Sequence, residues 1–188
     1  MATVSNSYAQ PILRTTNLST ALQTVEQLLG IADLQNLEVD FEAIISSTHA
    51  LASAQEVLPD AEWWTREDER DGSSAYGDDP SAHLPIVFRT TDTPLAVGPF
   101  LAAVADSPTT VRWDFNAWPE APQIGLGRGG TRGAFVTLCA NVRDLDLKEP
   151  AADHTVFVHV KQREAARAPW LAAQVGLQVI GDLVMAPD

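Results

Sequence analysis

The sequence predicts an α+β domain, with an N-terminal helical hairpin followed by a mostly antiparallel β-sheet or sandwich carrying one or two short helices. Three observations predict it. Between Thr20 and Pro59 apolar residues recur at helical spacing. After Pro80 the spacing shortens to alternation, in runs such as "LPIVFRT", "TTVRWDFNAW", "RGAFVTLCANV" and "HTVFVHVKQ". Helical patterns come first and strand patterns afterwards, an order that suits α+β rather than alternating βαβ units. At 188 residues the chain has the length of one compact domain, and its 45% hydrophobic content is enough to bury a core.

Residues 1–17 are polar, rich in Thr, Ser and Asn, and broken by Pro11, so they read as an extended arm. The helical hairpin is expected over residues 18–59. Thr20 followed by Gln23 has the form of a capping box, Leu22, Val25, Leu28 and Leu29 fall on one face, and Gly30 suits a helix end. A second helix is expected from Asp33, with Leu34, Leu37, Phe41, Ile44, Ile45, Thr48 and Leu51 at helical spacing until Pro59 stops it. Residues 60–80 read as an acidic loop or linker: from Asp60 to Asp79, eight acids face two arginines, a net of −6. Residues 81–188 form the expected β-rich part, with "LQVIGDLVM" as its last strand and short helices starting near Pro99 and Pro169.

The chain carries 25 acids against 12 bases, a formal net charge of −13, and only two lysines, Lys148 and Lys161. Such a field repels nucleic-acid phosphates and anionic lipid, so neither nucleic acid nor a membrane is an expected partner. No stretch approaches the roughly 18 consecutive apolar residues of a membrane span. Residues 1–17 also lack the basic start and apolar run of a secretory signal. Cys139 is the single cysteine, so the chain has neither an intrachain disulfide nor a cysteine zinc cluster. A soluble protein is expected, cytoplasmic or part of an assembly formed inside the cell, with no cofactor.

Residues 123–133, "QIGLGRGGTRG", match G-x-G-x-x-G through Gly125, Gly127 and Gly130, with Asp144 and Asp146 downstream. A dinucleotide site needs a buried strand before this loop and a helix after it. Pro119 and Pro122 stand where the strand should run, and "TRGAFVTLCANV" alternates like a strand where the helix should begin. A β-hairpin turn fits better, with Arg128 and Arg132 projecting as contacts for another chain or simply solvated. In the acidic segment, Glu67, Glu69, Asp71, Gly72 and Asp78 occupy calcium-loop positions. Glu at the early positions, Asp at the last and Pro80 beyond weaken that match, and a solvated charge run is the commoner meaning. Trp63 and Trp64 either anchor this loop or form an adhesive patch.

Of the four histidines, His49 lies at the edge of the second helical stripe, and His154 and His159 point to opposite faces of one strand. Alternation also sorts the strands. Val111, Trp113, Phe115 and Ala117 oppose Arg112, Asp114 and Asn116; Val136, Leu138 and Ala140 oppose Thr137, Cys139 and Asn141; Val156, Val158 and Val160 oppose Phe157 and His159. Were Asp114, Cys139 and His159 to meet, they could supply acid–base or nucleophilic chemistry. A half-buried sheet with a wet outer face explains the same pattern.

Two functions follow as expectations. The first is a non-enzymatic structural or interaction protein, a subunit of a homo- or hetero-oligomeric assembly that touches its partners through Trp63, Trp64, Arg128 and Arg132. The second is a small-molecule-binding domain or cofactor-free enzyme with a pocket on the sheet around Asp114, Cys139 and His159.

Overall fold

In the computed structural model, which describes residues 7–68, 79–130 and 134–187, eight antiparallel strands carry helices on one face. The strands are β1 (Ser7–Thr15), β2 (Glu38–Ile45), β3 (Glu62–Trp64), β4 (Ile86–Asp92), β5 (Thr109–Asp114), β8 (Phe135–Val142), β9 (Pro150–Lys161) and β10 (Val184–Met185). Their order across the sheet is β10-β1-β9-β8-β5-β2-β4-β3. A separate ribbon joins β6 (Ala117–Trp118) to β7 (Gly129–Gly130). Among the described residues the α-helices are α1 (Leu18–Ile31), α2 (Thr48–Val57), α3 (Val97–Val104) and α4 (Arg167–Gln174). The chain is therefore α+β, but its start is not a helical hairpin.

Residues 7–15, within the segment read as an arm, form a strand inside the sheet. Pro11 is tolerated there for a geometric reason. Its carbonyl accepts from Ile180 N on the side away from β9, so the missing N–H belongs to that outer side too. The β10 ladder on that side covers only Tyr8 and Ala9. Residues 38–45, read as part of a second helix, form β2. Val39, Phe41, Ala43 and Ile45 are fully buried while Glu38, Asp40, Glu42 and Ile44 are not, which is a period of two. Phe41 and Ile45 satisfy both periods on paper, whereas Ile44 fits only the helix stripe, and the β-branched Val39, Ile44 and Ile45 favour the strand. Asn36, at φ 55°, takes the left-handed turn that leads into it. Of "LQVIGDLVM", only Val184 and Met185 are paired.

Helices α1 and α2 both begin on side-chain caps, each worth about 1 kcal/mol. Asn17 Oδ1 accepts from Thr20 N at 3.1 Å, so the cap of α1 is Asn17 and not Thr20. Ser47 Oγ accepts from Ala50 N at 3.1 Å and starts α2. Helices and sheet meet in one apolar core that includes Val25, Leu28, Leu51, Leu138, Val156 and Leu171. Phe100 of α3 seats edge-on against Phe41 at 5.2 Å and stacks on Phe88 at 6.2 Å, which docks that helix onto β2 and β4.

The glycine loop is part of a hairpin between β6 and β7, with Trp118 opposite Gly129 and Ala117 opposite Gly130. It wraps a buried arginine rather than a phosphate. Arg167, 1% exposed, donates to Pro119 O at 2.6 Å and to Gly127 O at 2.7 Å, and pairs with Glu164 at 3.1 Å. A Cβ on Gly129 would lie 2.7 Å from the Arg167 Cζ. Held by three partners, that guanidinium cannot swing away cheaply. Gly129→Ala should therefore destabilise the protein by about 1–3 kcal/mol, the usual cost of overpacking. The same change in an Arg167→Ala background should cost little beyond Arg167→Ala itself. Denaturant unfolding of the two single variants and the double variant measures the difference, and additive losses would refute this origin of the glycine.

Candidate functional site

The face of the sheet turned away from the helices is built by register. Asp40 stands opposite Arg112 on one side and Thr91 on the other, and Glu42 stands between Thr110 and Arg89. Arg112 then faces Thr137, Asp114 faces Phe135, and Phe135 faces His159. The register of β5, β8 and β9 puts Asp114, Cys139 and His159 on one face of the sheet. The row Glu38, Asp40, Glu42 was hidden by the helical reading of β2; alternation of acids with Val39, Phe41 and Ala43 was the signal.

Two segments roof this face. The 143–149 loop between β8 and β9 is fixed by Asp144, whose carboxylate accepts from the backbone of Asp146, Lys148 and Glu149. Leu147, left-handed at φ 58° and 2% exposed, plugs the same loop into a small apolar cluster with Ala9, Cys139, Val142 and Phe157. From the other side come residues 65–68 after β3, closed on themselves by Thr65 Oγ1 donating to Asp68 at 2.6 Å. Arg66 joins the two segments by donating to Leu147 O at 2.7 Å. Between roof and sheet lies a cleft of about 380 Å³, lined by Arg66, Arg89, Arg112, Lys148, Asp40, Glu42, Asp146, Thr137 and His159, among others.

Arg112 is the hub of the floor. Its Nε and Nη2 donate to Asp40 Oδ2 at 3.2 and 2.8 Å, and its guanidinium lies 5.0 Å from the Phe135 centroid. Thr91 completes Asp40 from the opposite side, donating at 2.6 Å. Lys148 pairs with Asp146 at 3.0 Å, whereas Arg89 and Glu42 stand 3.8 Å apart, beyond hydrogen-bonding reach. His159 Nε2 meets the Thr137 hydroxyl at 2.8 Å. Burial, reinforced by the nearby Arg112 charge, pushes His159 down to about 3, so at neutral pH it is an uncharged hydrogen-bonding group. Burial also pushes Asp114 up to about 6, against the pull of Arg112 and with help from Asp40 and Glu38.

Cys139, Asp114 and His159 do not form one catalytic set. Cys139 is fully buried beneath the 143–149 loop, and burial with the nearby Asp144 charge raises its thiol pKa, the opposite of nucleophile activation. Phe135 stands between Asp114 and His159 in the register. Asn116 is engaged elsewhere, donating to Asp33 at 2.7 Å. The cleft instead gathers Asp40, Glu42, Arg66, Arg89 and Lys148, of which the loop residues Arg66 and Lys148 carry no sequence signal for meeting here.

The expected partner contacts fall as follows. Arg128 pairs with Asp33, the acid that also accepts from Asn116. Trp63 packs against the main core and stacks on His83 at 5.5 Å, the anchoring alternative. Trp64 is half-buried, with its indole Nε1 buried and unpaired. Arg132 lies outside the described residues, as do Glu69, Asp71 and Asp78 of the calcium template; Glu67 is exposed.

The titrating groups give opposite pH dependences. Below its ordinary value of about 6.5, the unfolded His159 takes up a proton that the native state refuses, so stability falls with decreasing pH by up to about 1.4 kcal/mol per unit. His159→Gln should flatten this acid limb in urea unfolding measured from pH 7 to 5; an unchanged limb would contradict the assignment. Asp114 acts the other way, because its native carboxyl holds a proton more tightly than the unfolded one, and stability is lost as pH rises from about 4 through 6. Asp114→Asn should stabilise at pH 7 by on the order of 1 kcal/mol, a value reduced by the solvent around a half-buried group. Cys139 should react with a thiol reagent only at the rate of global unfolding; fast labelling of native protein would show the roof to be open. Set beside known protein families, curated proteins and solved structures, the chain matches none.

Proposed function

We propose that this protein is a binding domain for a small polar molecule carrying an anionic group, held in the roofed cleft on the sheet. One observation carries the reading. Among the described residues, four bases, Arg66, Arg89, Arg112 and Lys148, line this cleft against three acids, in a chain that has 12 bases to 25 acids. Elsewhere the acidic surplus repels anions, so this concentration of cations is a local reversal of the molecular field. The cleft volume of about 380 Å³ suits a small ligand. Neutral His159 and Thr137 add hydrogen-bonding capacity without charge. The other reading, a subunit of a larger assembly, drew on Trp63, Trp64, Arg128 and Arg132, of which Arg128 and Trp63 serve intramolecular contacts. Those contacts shift the weight towards the cleft.

A ligand that binds only the folded state raises the midpoint of thermal unfolding in proportion to the logarithm of its concentration over its Kd. A panel of carboxylates, phosphates, amines and neutral sugars, read by thermal shift and by NMR of labelled protein, should yield at least one anionic compound that raises the midpoint. That compound should perturb the amides of Thr110, Arg112, Thr137 and His159. A panel in which no anion moves either readout, or in which perturbations cluster away from the cleft, would refute the proposal.

A further inference from the structure

Resting on the binding reading above, we infer that the ligand carries a hydroxyl beside its anionic group, as a hydroxy acid does, and that Thr137 and His159 receive this hydroxyl. Both side chains line the cleft, on the neighbouring strands β8 and β9. Each is only 3% exposed, so together they make a narrow polar spot on the cleft floor. Phe135 meets the imidazole edge-on at 5.6 Å, and Arg112 stands opposite Thr137 on β5.

The two side chains meet through His159 Nε2 and the Thr137 hydroxyl at 2.8 Å, and among the described residues neither has a further side-chain hydrogen bond. Burial and the Arg112 charge keep the ring uncharged, so one of its nitrogens carries a hydrogen and the other does not. The shared hydrogen has two placements. If Nε2 donates, the Thr137 O–H is left to donate and Nδ1 to accept. If the Thr137 O–H donates instead, Nδ1–H is the remaining donor and the Thr137 oxygen the remaining acceptor. Either way the pair offers one donor and at least one acceptor, and a hydroxyl answers both from a single atom. An ammonium cannot accept and a carboxylate cannot donate, so each would leave a buried group unmatched. Arg112 weighs further against an ammonium. It stands between Thr137 and Asp40 in the register, so a cation at Thr137 would meet like charge before it met that carboxylate.

The probes are L-malate, succinate and L-aspartate, which share one dicarboxylate frame and differ at a single position bearing a hydroxyl, a hydrogen or an ammonium. They are titrated into labelled protein and followed by two-dimensional NMR. L-malate should perturb the amides of Arg112, Thr137 and His159 and bind about tenfold more tightly than succinate, a gain of about 1.4 kcal/mol. L-aspartate should bind more weakly than L-malate by at least the same factor. Thr137→Val should bring L-malate down to the affinity of succinate while leaving succinate itself within about twofold. Thr137→Ser, which keeps a hydroxyl, should keep the preference for L-malate. A native-like amide spectrum for each variant separates a lost hydroxyl contact from a lost fold, and the order of the three ligands on the unsubstituted protein tests the inference without any variant. L-aspartate binding as tightly as L-malate, or L-malate no more tightly than succinate, would overturn the inference while leaving an anion site in place. So would a preference for L-malate that survives Thr137→Val. If none of the three probes binds, the inference falls, and the wider compound panel decides the binding reading separately.

Discussion

A strand sends alternate side chains to opposite faces, and in this protein that constraint decides where the charges of the sheet can go. Val39, Phe41, Ala43 and Ile45 are drawn to the helix-covered side by Phe100 and its neighbours. Glu38, Asp40 and Glu42 then have no choice but the other side. Repeated across β4, β5, β8 and β9, the same rule assembles a polar surface whose composition is the complement of the core. The cleft is thus a consequence of how the hydrophobic face is built. A one-residue slip of any central strand would destroy both at once.

Charge on such a face must be paired if it is to be half-covered, because removing an ion from water costs several kcal/mol unless a partner compensates. The sheet solves this by placing opposite signs directly across from each other, as with Asp40 and Arg112. The roof is held differently, by the Asp144 carboxylate on the backbone of its own loop, by Arg66 on the Leu147 carbonyl and by one plugged leucine, and it brings Arg66, Asp146 and Lys148 to the cleft from above.

The strands after Pro80 are legible because Pro, Gly and Asp bracket each alternating run, and the facing of Asp114, Cys139 and His159 follows directly from it. β2 is not, since Leu37, Phe41 and Ile45 fit a helix as well as a strand and only burial of Val39 and Ala43 separates the two. β1 is disguised by Pro11, whose tolerance depends on the β10 ladder covering β1 only as far as Ala9, a fact of tertiary structure. Cys139 reads as available because nothing local announces that Leu147 covers it. The meeting of Arg66 with Leu147 links residues 81 apart in sequence, and no periodicity encodes that.

The place of β1 in the sheet has a consequence for biosynthesis. Its long ladder is with β9, from Ser7 opposite Lys161 to Thr15 opposite His154. Of the strands described, the first to leave the ribosome is therefore paired almost last, after some 150 further residues have emerged. An apolar strand left waiting so long would invite the wrong neighbour. Ser7, Gln10, Arg14 and Thr15, with Pro11 interrupting its donor row, make this one a poor template for chance pairing until its own partner arrives.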